Sequence, residues 1–480
     1  MKKLISNYLF TVMYQLLLIV TPFITTPYIS RVLKPEGIGV EAYVASIVQL
    51  FIVFLTLSFS LYGSRQIASK HNQKETSDEF WSIFFFKIIS SLIVMVIYFL
   101  YVNRISEHRD LYLINILTLL ANILDISWYF FGKEQIKKIS IRNMVIKVIG
   151  IVLIFTFVKE YDDLDLYVLI NAGTLFLGQL IMWIPLLREI LFVKITLKKV
   201  ASHFKPIMIL FLPQIMIQIY ILANKIILGN ETGEVEVGYY NQAYKIITIA
   251  LGVISSLGSV MLPRMASEFT RGNKEEMGKY VSFALQLILL ITLPMTLGMI
   301  GIAPNFISWF LGEEFEPVTN LLMIMSPVIF FVGLANVFGI QILIGTNQQN
   351  KYSVAVTIGA ILSLITNFLL IKPLASTATS IALLVGEGVG ALIQIYFAKN
   401  YFNVKKFFIM FIKYFILSSF VYISVTLISK YLPFTPLWIT FIQLTAGMVT
   451  YMAGLIIIKE PIILRLINTV KSRFSKGERG

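Results

Sequence analysis

Two of the lysines in apolar stretches of this sequence lie in rows of polar side chains. Gln214, Gln218 and Lys225 are 4 and 7 residues apart in the apolar run that opens at Pro206. Residues at these separations share one face of an α-helix. Because hydrocarbon offers no hydrogen bonds, this face should lie against another helix or a water-filled cavity. An ammonium group beside two amides can bind an anion and donate hydrogen bonds to a polar ligand.

The second row follows after a short loop. Asn241, Lys245 and Thr248 also share one helix face. Both helices end at this loop, so Lys225 and Lys245 should be neighbours, and two close ammonium groups repel each other unless an anion or water lies between them. We therefore predict an anion site that includes both lysines. Two alternatives remain open: Lys225 snorkels to the membrane surface, or the polar rows serve helix packing.

A third polar row begins near the N-terminus. Thr11, Gln15 and Thr26 share one face of the first apolar run. Gln15 is therefore a candidate ligand-binding side chain, together with Gln214, Gln218 and Asn241. Packing against a neighbouring helix explains this row equally well.

Charged residues inside apolar runs are candidates for ion coupling. Asp125 and Glu387 are two acids that lie well inside predicted spans. Desolvation favours the neutral form of a buried carboxyl, so either side chain could carry H⁺ or bind Na⁺; a neutral structural hydrogen bond is the alternative for Glu387. For Lys87, Lys147 and Lys413, which lie near the predicted cytoplasmic ends of their spans, we favour snorkelling.

The composition excludes several other kinds of chemistry. The chain has 480 residues, of which 57% are hydrophobic and 14% are charged, with no cysteine and three histidines. Thiol catalysis, disulfides and iron–sulfur clusters are excluded, and no His or Cys spacing matches a zinc site, so we predict no metal and no cofactor. No Walker motif is present, which argues against ATP as the energy source. The mean hydropathy of +0.80 indicates an integral membrane protein.

The hydropathy pattern predicts an all-α integral membrane protein with fourteen transmembrane helices. Each predicted span is roughly 20 residues long, as a bilayer requires. No soluble domain interrupts them, which argues against a membrane enzyme with a catalytic external loop. The predicted spans are about 7–29, 40–63, 80–102, 111–131, 143–158, 166–187, 206–228, 238–262, 280–303, 318–344, 352–371, 378–398, 407–430 and 436–458.

Lysine and arginine orient these spans. Connections between successive spans alternate between the two sides of the membrane. Of the 40 basic residues, 28 lie in the connections and termini on one side, and 7 lie in or beside the connections on the other side. Because cytoplasmic loops carry the excess of Lys and Arg, both termini are predicted to be cytoplasmic. The formal charge of +14 is then mostly a consequence of topology. It indicates anionic lipid rather than nucleic acid as the partner.

An offset of 199 residues aligns Gln15 with Gln214, Gly39 with Gly238 and Arg65 with Arg264. Six spans separate the aligned positions, so both copies keep the same orientation in the membrane. We predict a parallel pseudo-repeat of two six-helix lobes, a construction that many transporters use. The predicted domains are 1–205 for the N-lobe, 206–406 for the C-lobe, 407–458 for two C-terminal helices and 459–480 for a basic cytoplasmic tail.

Five stretches in order along the chain resemble bacterial polysaccharide flippases of the multidrug/oligosaccharidyl-lipid/polysaccharide exporter superfamily. The most specific element is Asp125, Trp128, Gly132 and Glu134 at the spacing that the family uses. One departure is Asn224, where many relatives have Asp before the lysine that matches Lys225. The five stretches are RVLKPEGIGVEAY (31–43), DISWYFFGKEQIKKISIRN (125–143), VGYYNQAYKI (237–246), VMLPRMA (260–266) and TNQQNKYSVAVTIGAILSLITN (346–367).

The resemblance implies a function that composition and spacing do not. It implies two six-helix lobes in a V and a substrate of oligosaccharide units on undecaprenyl pyrophosphate. It further implies movement of these units from the inner to the outer leaflet of the bacterial plasma membrane, for capsule or exopolysaccharide synthesis. Polysaccharide polymerase and chain-length proteins are implied partners. A drug/cation antiporter and a lipid II flippase of the same superfamily remain the alternatives.

Overall fold

The protein is described by a computed structural model whose described residues are almost entirely helical. It describes the backbone of residues 2–271 and 273–464, and the side chains there except those of 2–5, 212–214, 216–217, 253, 255–260, 263–264, 266, 269–270 and 274. The helices in chain order are α1 (Lys2–Thr56), α2 (Phe59–Ala68), α3 (Gln73–Val102), α4 (Arg109–Ile114), α5 (Ile116–Ile123), α6 (Ser127–Gly132), α7 (Ile136–Phe157), α8 (Leu164–Leu187), α9 (Leu197–Ser202), α10 (Phe204–Thr232), α11 (Glu234–Thr270), α12 (Lys274–Phe310), α13 (Pro317–Met325), α14 (Pro327–Ala335), a π-helix (Asn336–Ile344), α15 (Gln349–Leu374), α16 (Ser376–Ala398), α17 (Val404–Tyr431) and α18 (Pro436–Ile457).

Several of these helices are long and apolar enough to cross a membrane. Among the described residues there are eleven such candidates. The prediction of a multi-pass, all-α membrane protein is therefore confirmed, whereas the count of fourteen spans and the two-lobe arrangement remain predictions. One candidate, Ser6–Ala68, contains the first two predicted spans.

A backbone break at Lys34 divides α1. Lys34 has φ 57° and ψ 178°, which interrupts the helical hydrogen bonds and begins a second helical segment. Pro35 follows, and a residue before proline is pushed away from the α region towards extended ψ values. The segment after the break, residues 35–56, is called α1b; it carries Gly39 and Glu41.

A second break, between α5 and α6, places irregular backbone inside an apolar segment. Such backbone needs polar partners, because lipid supplies none. The carbonyl of Leu124 accepts a hydrogen bond from Trp183 Nε1 at 3.0 Å, and that of Asp125 accepts one from Lys87 Nζ at 2.8 Å. The Asp125 carboxylate accepts bonds from Ser127 N at 3.0 Å and Ser127 Oγ at 2.6 Å, which satisfies a free donor at the start of α6.

Two glycines let α6 pack directly on α2. A β-carbon on Gly63 would lie 2.5 Å from the Trp128 ring, and one on Gly132 would lie 2.7 Å from the carbonyl oxygen of Ser64. Trp128 is 1% exposed and stacks on Phe80 with ring centroids 5.1 Å apart. Three members of the Asp125–Glu134 motif therefore have packing or capping roles at this helix break.

The described residues form two compact units. The first contains the chain up to Asn241 together with Ile371–Ala375, and the second contains Gln242–Leu370 together with the residues from Ser376 onwards. The domain boundaries predicted from the sequence remain predictions.

The second unit includes a three-helix group of α12, α17 and α18. Glu460 is fully buried just after α18, where it accepts hydrogen bonds from Lys413 of α17 and Gln286 of α12. Half-buried Lys413 therefore has an ion-pair partner that its interpretation as a snorkelling lysine did not include. A buried carboxylate needs such a partner to offset its desolvation.

Candidate functional site

The structure places Lys225 and Asn241 in direct contact within the first unit. Lys225 lies on α10, Asn241 lies on α11, and Gly233 joins the two helices with a φ of 92°. Lys225 Nζ donates a hydrogen bond to Asn241 Oδ1 at 2.7 Å. Both side chains are half-buried. The sequence predicted Lys245 as the neighbour of Lys225 and did not predict this hydrogen bond to Asn241; the roles of all three residues in binding remain predictions.

A backbone contact between α1b and α11 positions this pair. A β-carbon on Gly39 would lie 2.0 Å from the carbonyl oxygen of Glu234, and one on Gly238 would lie 2.6 Å from the carbonyl oxygen of Pro35 and 3.0 Å from the Gly39 nitrogen. The two glycines aligned by the 199-residue offset therefore pack against each other. Only glycine permits so close an approach of two backbones.

Glu41 lies two residues after Gly39 on α1b and brings an acidic group to the same region. Its carboxylate interacts electrostatically with the Lys225 ammonium group. Glu41 also lines a cavity of about 190 Å³ within the first unit. The polar side chains lining this cavity, which we call the Glu41 cavity, are Glu41, Gln49, Asn115, Thr118 and Asn171.

A second polar cavity contains another predicted ligand residue. Gln218 of α10 and Gln49 of α1b both line this cavity, which has a volume of about 290 Å³. Because Gln49 also lines the Glu41 cavity, the two cavities adjoin along α1b. The structure therefore places Gln218 at a polar cavity of the first unit, whereas Lys225 and Asn241 line neither of these two cavities.

The remaining predicted ligand residues are not part of this group. Gln15 is exposed on α1 and lines neither cavity described above. Lys245 is half-buried one turn beyond Asn241 on α11, in the second unit. The side chain of Gln214 lies outside the described residues.

The two ion-coupling candidates lie in different units. Glu387 of the second unit is half-buried on α16, within electrostatic range of Tyr244 and Tyr352. Asp125 lies at the break between α5 and α6, near Lys87 and Arg142. Their coupling roles remain predictions. Among the described residues, no group of three or more His, Cys, Asp or Glu could hold a metal ion.

Lys87 corrects another expectation from the sequence. Its side chain is 2% exposed, with its ammonium group bonded to the Asp125 carbonyl and 5.7 Å from the centre of the Phe59 ring. The snorkelling interpretation was wrong for this residue because its partner, distant in sequence, lies beside it in the fold. For Lys147, which is half-buried, snorkelling remains an interpretation.

The sequence of residues 4–269, more than half of the chain, matches the family described as polysaccharide biosynthesis protein. The chain belongs to this family. The match contains nearly all of α1, all of α2 to α10 and nearly all of α11, so it includes Glu41, Lys225 and Asn241. The family predicted from the five sequence motifs is thereby confirmed.

Curated relatives of this polysaccharide biosynthesis family member have transporter names. A protein of Escherichia coli (strain K12) named as an O-antigen transporter is 25% identical over 391 residues, which cover 79% of this chain and 92% of that protein. A protein of Shigella dysenteriae with the same name is 23% identical over 375 residues, covering 76% of this chain and 90% of that protein.

Solved structures show a shared fold. The lipid II flippase MurJ in an inward closed conformation has a TM-score of 0.72 at 16% identity, covering 95% of this chain and 100% of that chain. A multidrug resistance MATE family transporter in an inward-facing conformation has a TM-score of 0.60 at 16% identity, covering 79% and 94%. This member of the polysaccharide biosynthesis family therefore has a MurJ-like and MATE-like fold.

Two residues of this family member were missed by sequence reasoning. Glu41 was quoted only within a motif, because nothing in its local spacing shows that it lies near Lys225. His203 lies in the turn between α9 and α10, yet it is 3% exposed, and its ring contacts Tyr62 Oη at 2.7 Å and Ser82 Oγ at 2.9 Å.

His203 gives this family member a predicted pH dependence. Burial lowers the pKa of His203 below its ordinary value, Glu79 opposes this effect, and Lys199 and Lys70 add to it. Between the lowered pKa and about 6.5, the unfolded chain binds a proton that the folded chain does not. Folding stability should therefore fall as the pH is lowered below about 6.5.

The measurement is thermal unfolding in detergent at pH 7.5 and at pH 5.5. The loss of stability on acidification should be smaller in His203→Gln, which keeps hydrogen-bonding capacity without titrating. The exposed His71→Gln is the matched control and should behave as the wild type. An identical acid loss in wild type and His203→Gln would contradict this prediction.

Proposed function

We propose that this chain is a flippase for undecaprenyl-pyrophosphate-linked oligosaccharide repeat units. It moves these units from the inner to the outer leaflet of the bacterial plasma membrane, for capsule or exopolysaccharide synthesis. The family membership, the O-antigen transporter names of the relatives and the MurJ-like fold support this proposal. It acts as a transporter rather than as an enzyme, with both termini in the cytoplasm.

The observation that carries the proposal is the Lys225–Asn241 pair. An isolated charge is very costly to bury, so an ammonium group within a transmembrane protein marks a functional site by default. Lys225 donates to Asn241 and interacts with Glu41. Glu41 lines one of the two polar cavities, and Gln218 lines the other. An ammonium group and side-chain amides suit a pyrophosphate and sugar hydroxyls, respectively.

The proposed mechanism is alternating access with a cationic binding site. Lys225 and Lys245 would bind the pyrophosphate, while Gln218, Asn241 and further amides would hydrogen-bond the sugars. An inside-negative membrane potential favours outward movement of an anion by about 2.3 kcal/mol per charge per 100 mV. Polysaccharide polymerase and chain-length proteins would act on the product at the outer leaflet.

The test is surface polysaccharide in a deletion strain that expresses Lys225→Ala or Lys245→Ala at wild-type membrane levels. A hydrogen bond to a charged group contributes about 1.5–3 kcal/mol, which corresponds to a loss of roughly 10- to 100-fold in affinity. We therefore expect severe loss of export in each variant. Lys405→Ala, which changes an exposed lysine at the start of α17, is the control and should export normally.

Three outcomes would redirect the assignment. Full export by both alanine variants would refute the anion site. A deletion strain with normal polysaccharide and lowered drug resistance would favour the drug/cation antiporter, whose fold is also similar. A lethal deletion would favour the lipid II flippase of wall synthesis.

A further inference from the structure

The connection between α8 and α10 begins and ends at the membrane surface. It covers residues 188–205 and includes α9, and we call it the α8–α10 strap. Leu187 is the last residue of α8 and of a candidate membrane span, and the apolar run of α10 opens at Pro206. Because the strap joins two successive spans, both of its ends lie on the same side of the membrane. Its basic residues predict that this side is cytoplasmic.

Contacts with α3 hold the middle of the strap at the same level. The backbone nitrogen of Leu191 donates a hydrogen bond to Ser77 Oγ at 2.8 Å, and Trp81 Nε1 donates one to the Leu191 carbonyl at 3.0 Å. Lys199 Nζ lies 2.6 Å from Asp78 Oδ2. These α3 residues precede or open its apolar stretch, which is predicted to span from about residue 80. The strap therefore runs along the membrane surface instead of projecting from it.

The side chains of the strap divide into an inner and an outer set. Residues 190–196 lie outside any helix, and exposure alternates from residue 192 to residue 196 as in an extended segment. Val193 and Ile195 pack against the buried core of the first unit. Phe192 and Leu197 are 81% and 79% exposed, although one face of the Phe192 ring stacks on Trp81. The outer set therefore presents large apolar groups that the described part of the chain leaves uncovered.

The exposed part of the strap is also strongly basic. Glu189 is the only acid of the strap, and its carboxylate is paired with Lys138 at 2.6 Å. Apolar side chains flanked by Lys and Arg are typical of segments in the membrane interface, where the apolar groups enter the lipid and the cations stay at the headgroups. The exposed apolar residues in and beside the strap are Leu187, Leu191, Phe192, Leu197 and Phe204. The exposed basic residues are Arg188, Lys194, Lys198 and Lys205.

We propose that the α8–α10 strap is a binding surface for anionic phospholipids of the cytoplasmic leaflet. Phe192 and Leu197 insert among the acyl chains, while Lys194 and Lys198 bind the headgroup phosphates. Each basic residue near an anionic membrane surface strengthens the attraction by roughly fivefold. The strap thus recognises the lipid around the protein and is independent of the molecule that the protein transports.

The first experiment measures the depth of the strap in a bilayer. The chain has no cysteine, so Phe192→Cys or Leu197→Cys gives a single site for a nitroxide spin label. The labelled full-length protein is placed in vesicles of phosphatidylcholine and phosphatidylglycerol at about 3:1. We expect both labels to be more accessible to oxygen, which partitions into lipid, than to a water-soluble nickel complex. His71→Cys, at an exposed position between α2 and α3, is the control and should favour nickel.

Two outcomes of this experiment would overturn the proposal. Labels at 192 and 197 that favour nickel, as the label at 71 does, would show that the strap lies in water. Labels that neither reagent reaches would show that protein covers the strap, either a partner or a second copy of this chain. Leu197→Cys is informative even if the loss of the Trp81–Phe192 stacking alters the strap at residue 192.

The second experiment tests the charge of the lipid headgroup. Thermal unfolding of the full-length protein in detergent is followed while phosphatidylglycerol or phosphatidylcholine is added. Phosphatidylglycerol should raise the unfolding midpoint of the wild type at lower lipid concentrations. The double variant Lys194→Gln/Lys198→Gln should need roughly 25-fold more phosphatidylglycerol for the same shift, which is the product of two fivefold effects. Its response to phosphatidylcholine should equal that of the wild type.

The matched control is the double variant Lys74→Gln/Lys279→Gln. It removes the same charge from exposed positions outside the strap, where acids lie next to both lysines in the sequence or the fold. It should respond to phosphatidylglycerol as the wild type does. Equal responses of the two double variants would overturn the binding of anionic lipid by the strap. Neither experiment measures polysaccharide export, so failure of the strap leaves the proposed flippase function untouched.

Discussion

Replacing Gly238 with alanine is expected to destabilise the first unit by about 3 kcal/mol or more and to abolish polysaccharide export, because overpacking against backbone has little room to relax. The added methyl group would lie 2.6 Å from the Pro35 carbonyl oxygen and 3.0 Å from the Gly39 nitrogen. No side chain can rotate to relieve these contacts, so α1b and α11 must separate. Asn241, less than one turn beyond Gly238, would move away from Lys225.

Gly39→Ala should have the same effect from the opposite side, where the methyl group would lie 2.0 Å from the Glu234 carbonyl oxygen. Gly173→Ala on α8 is the matched control because a β-carbon there meets nothing within 4 Å. It should be neutral or stabilising by up to about 1 kcal/mol. The measurements are thermal unfolding in detergent and surface polysaccharide. Equal stability of Gly238→Ala and Gly173→Ala would contradict the close backbone contact.

Lys87→Met should destabilise the fold by about 3–5 kcal/mol, as expected when one partner of a buried charged group is removed. The substitution leaves the Asp125 carbonyl without its 2.8 Å hydrogen bond at a broken helix. It also removes a positive charge from the surroundings of the Asp125 carboxylate. The measurement is the midpoint of thermal unfolding in detergent.

A double-mutant cycle separates the charge effect from the loss of packing. Adding Asp125→Asn to Lys87→Met removes the acid that has lost its nearby cation, so the two effects should be less than additive by about 0.5–3 kcal/mol. Lys405→Met at an exposed position should change the midpoint little. Strict additivity in the cycle would show that Lys87 acts on the helix break independently of the Asp125 carboxylate.

Helical periodicity predicted contacts between consecutive helices. Lys225 and Asn241 lie on two polar rows joined by one short loop, so spacing placed the two rows near each other, although it did not predict the hydrogen bond between these two residues. Apolar runs likewise predicted the multi-pass helical class. Both features can be predicted because each depends only on residues that lie within a few tens of positions of one another in the sequence.

Contacts between distant segments could not be predicted in this way. Lys87 and Asp125 are 38 residues apart, and Glu41 reaches Lys225 only through the crossing of α1b with α10. A charge in an apolar run looks the same whether it snorkels or finds a buried partner. The Gly39–Gly238 contact is intermediate, since the repeat aligned the two glycines without showing that they touch.

The helix break at Asp125 also has a consequence for membrane insertion, because the partners of the break are synthesised at different times. Lys87 has been synthesised when this segment leaves the exit tunnel, but Trp183, the donor to the Leu124 carbonyl, follows 59 residues later. At typical elongation rates this interval lasts roughly 3–12 s. The nascent segment must therefore be kept from lipid, within or beside the insertion machinery, until α8 arrives.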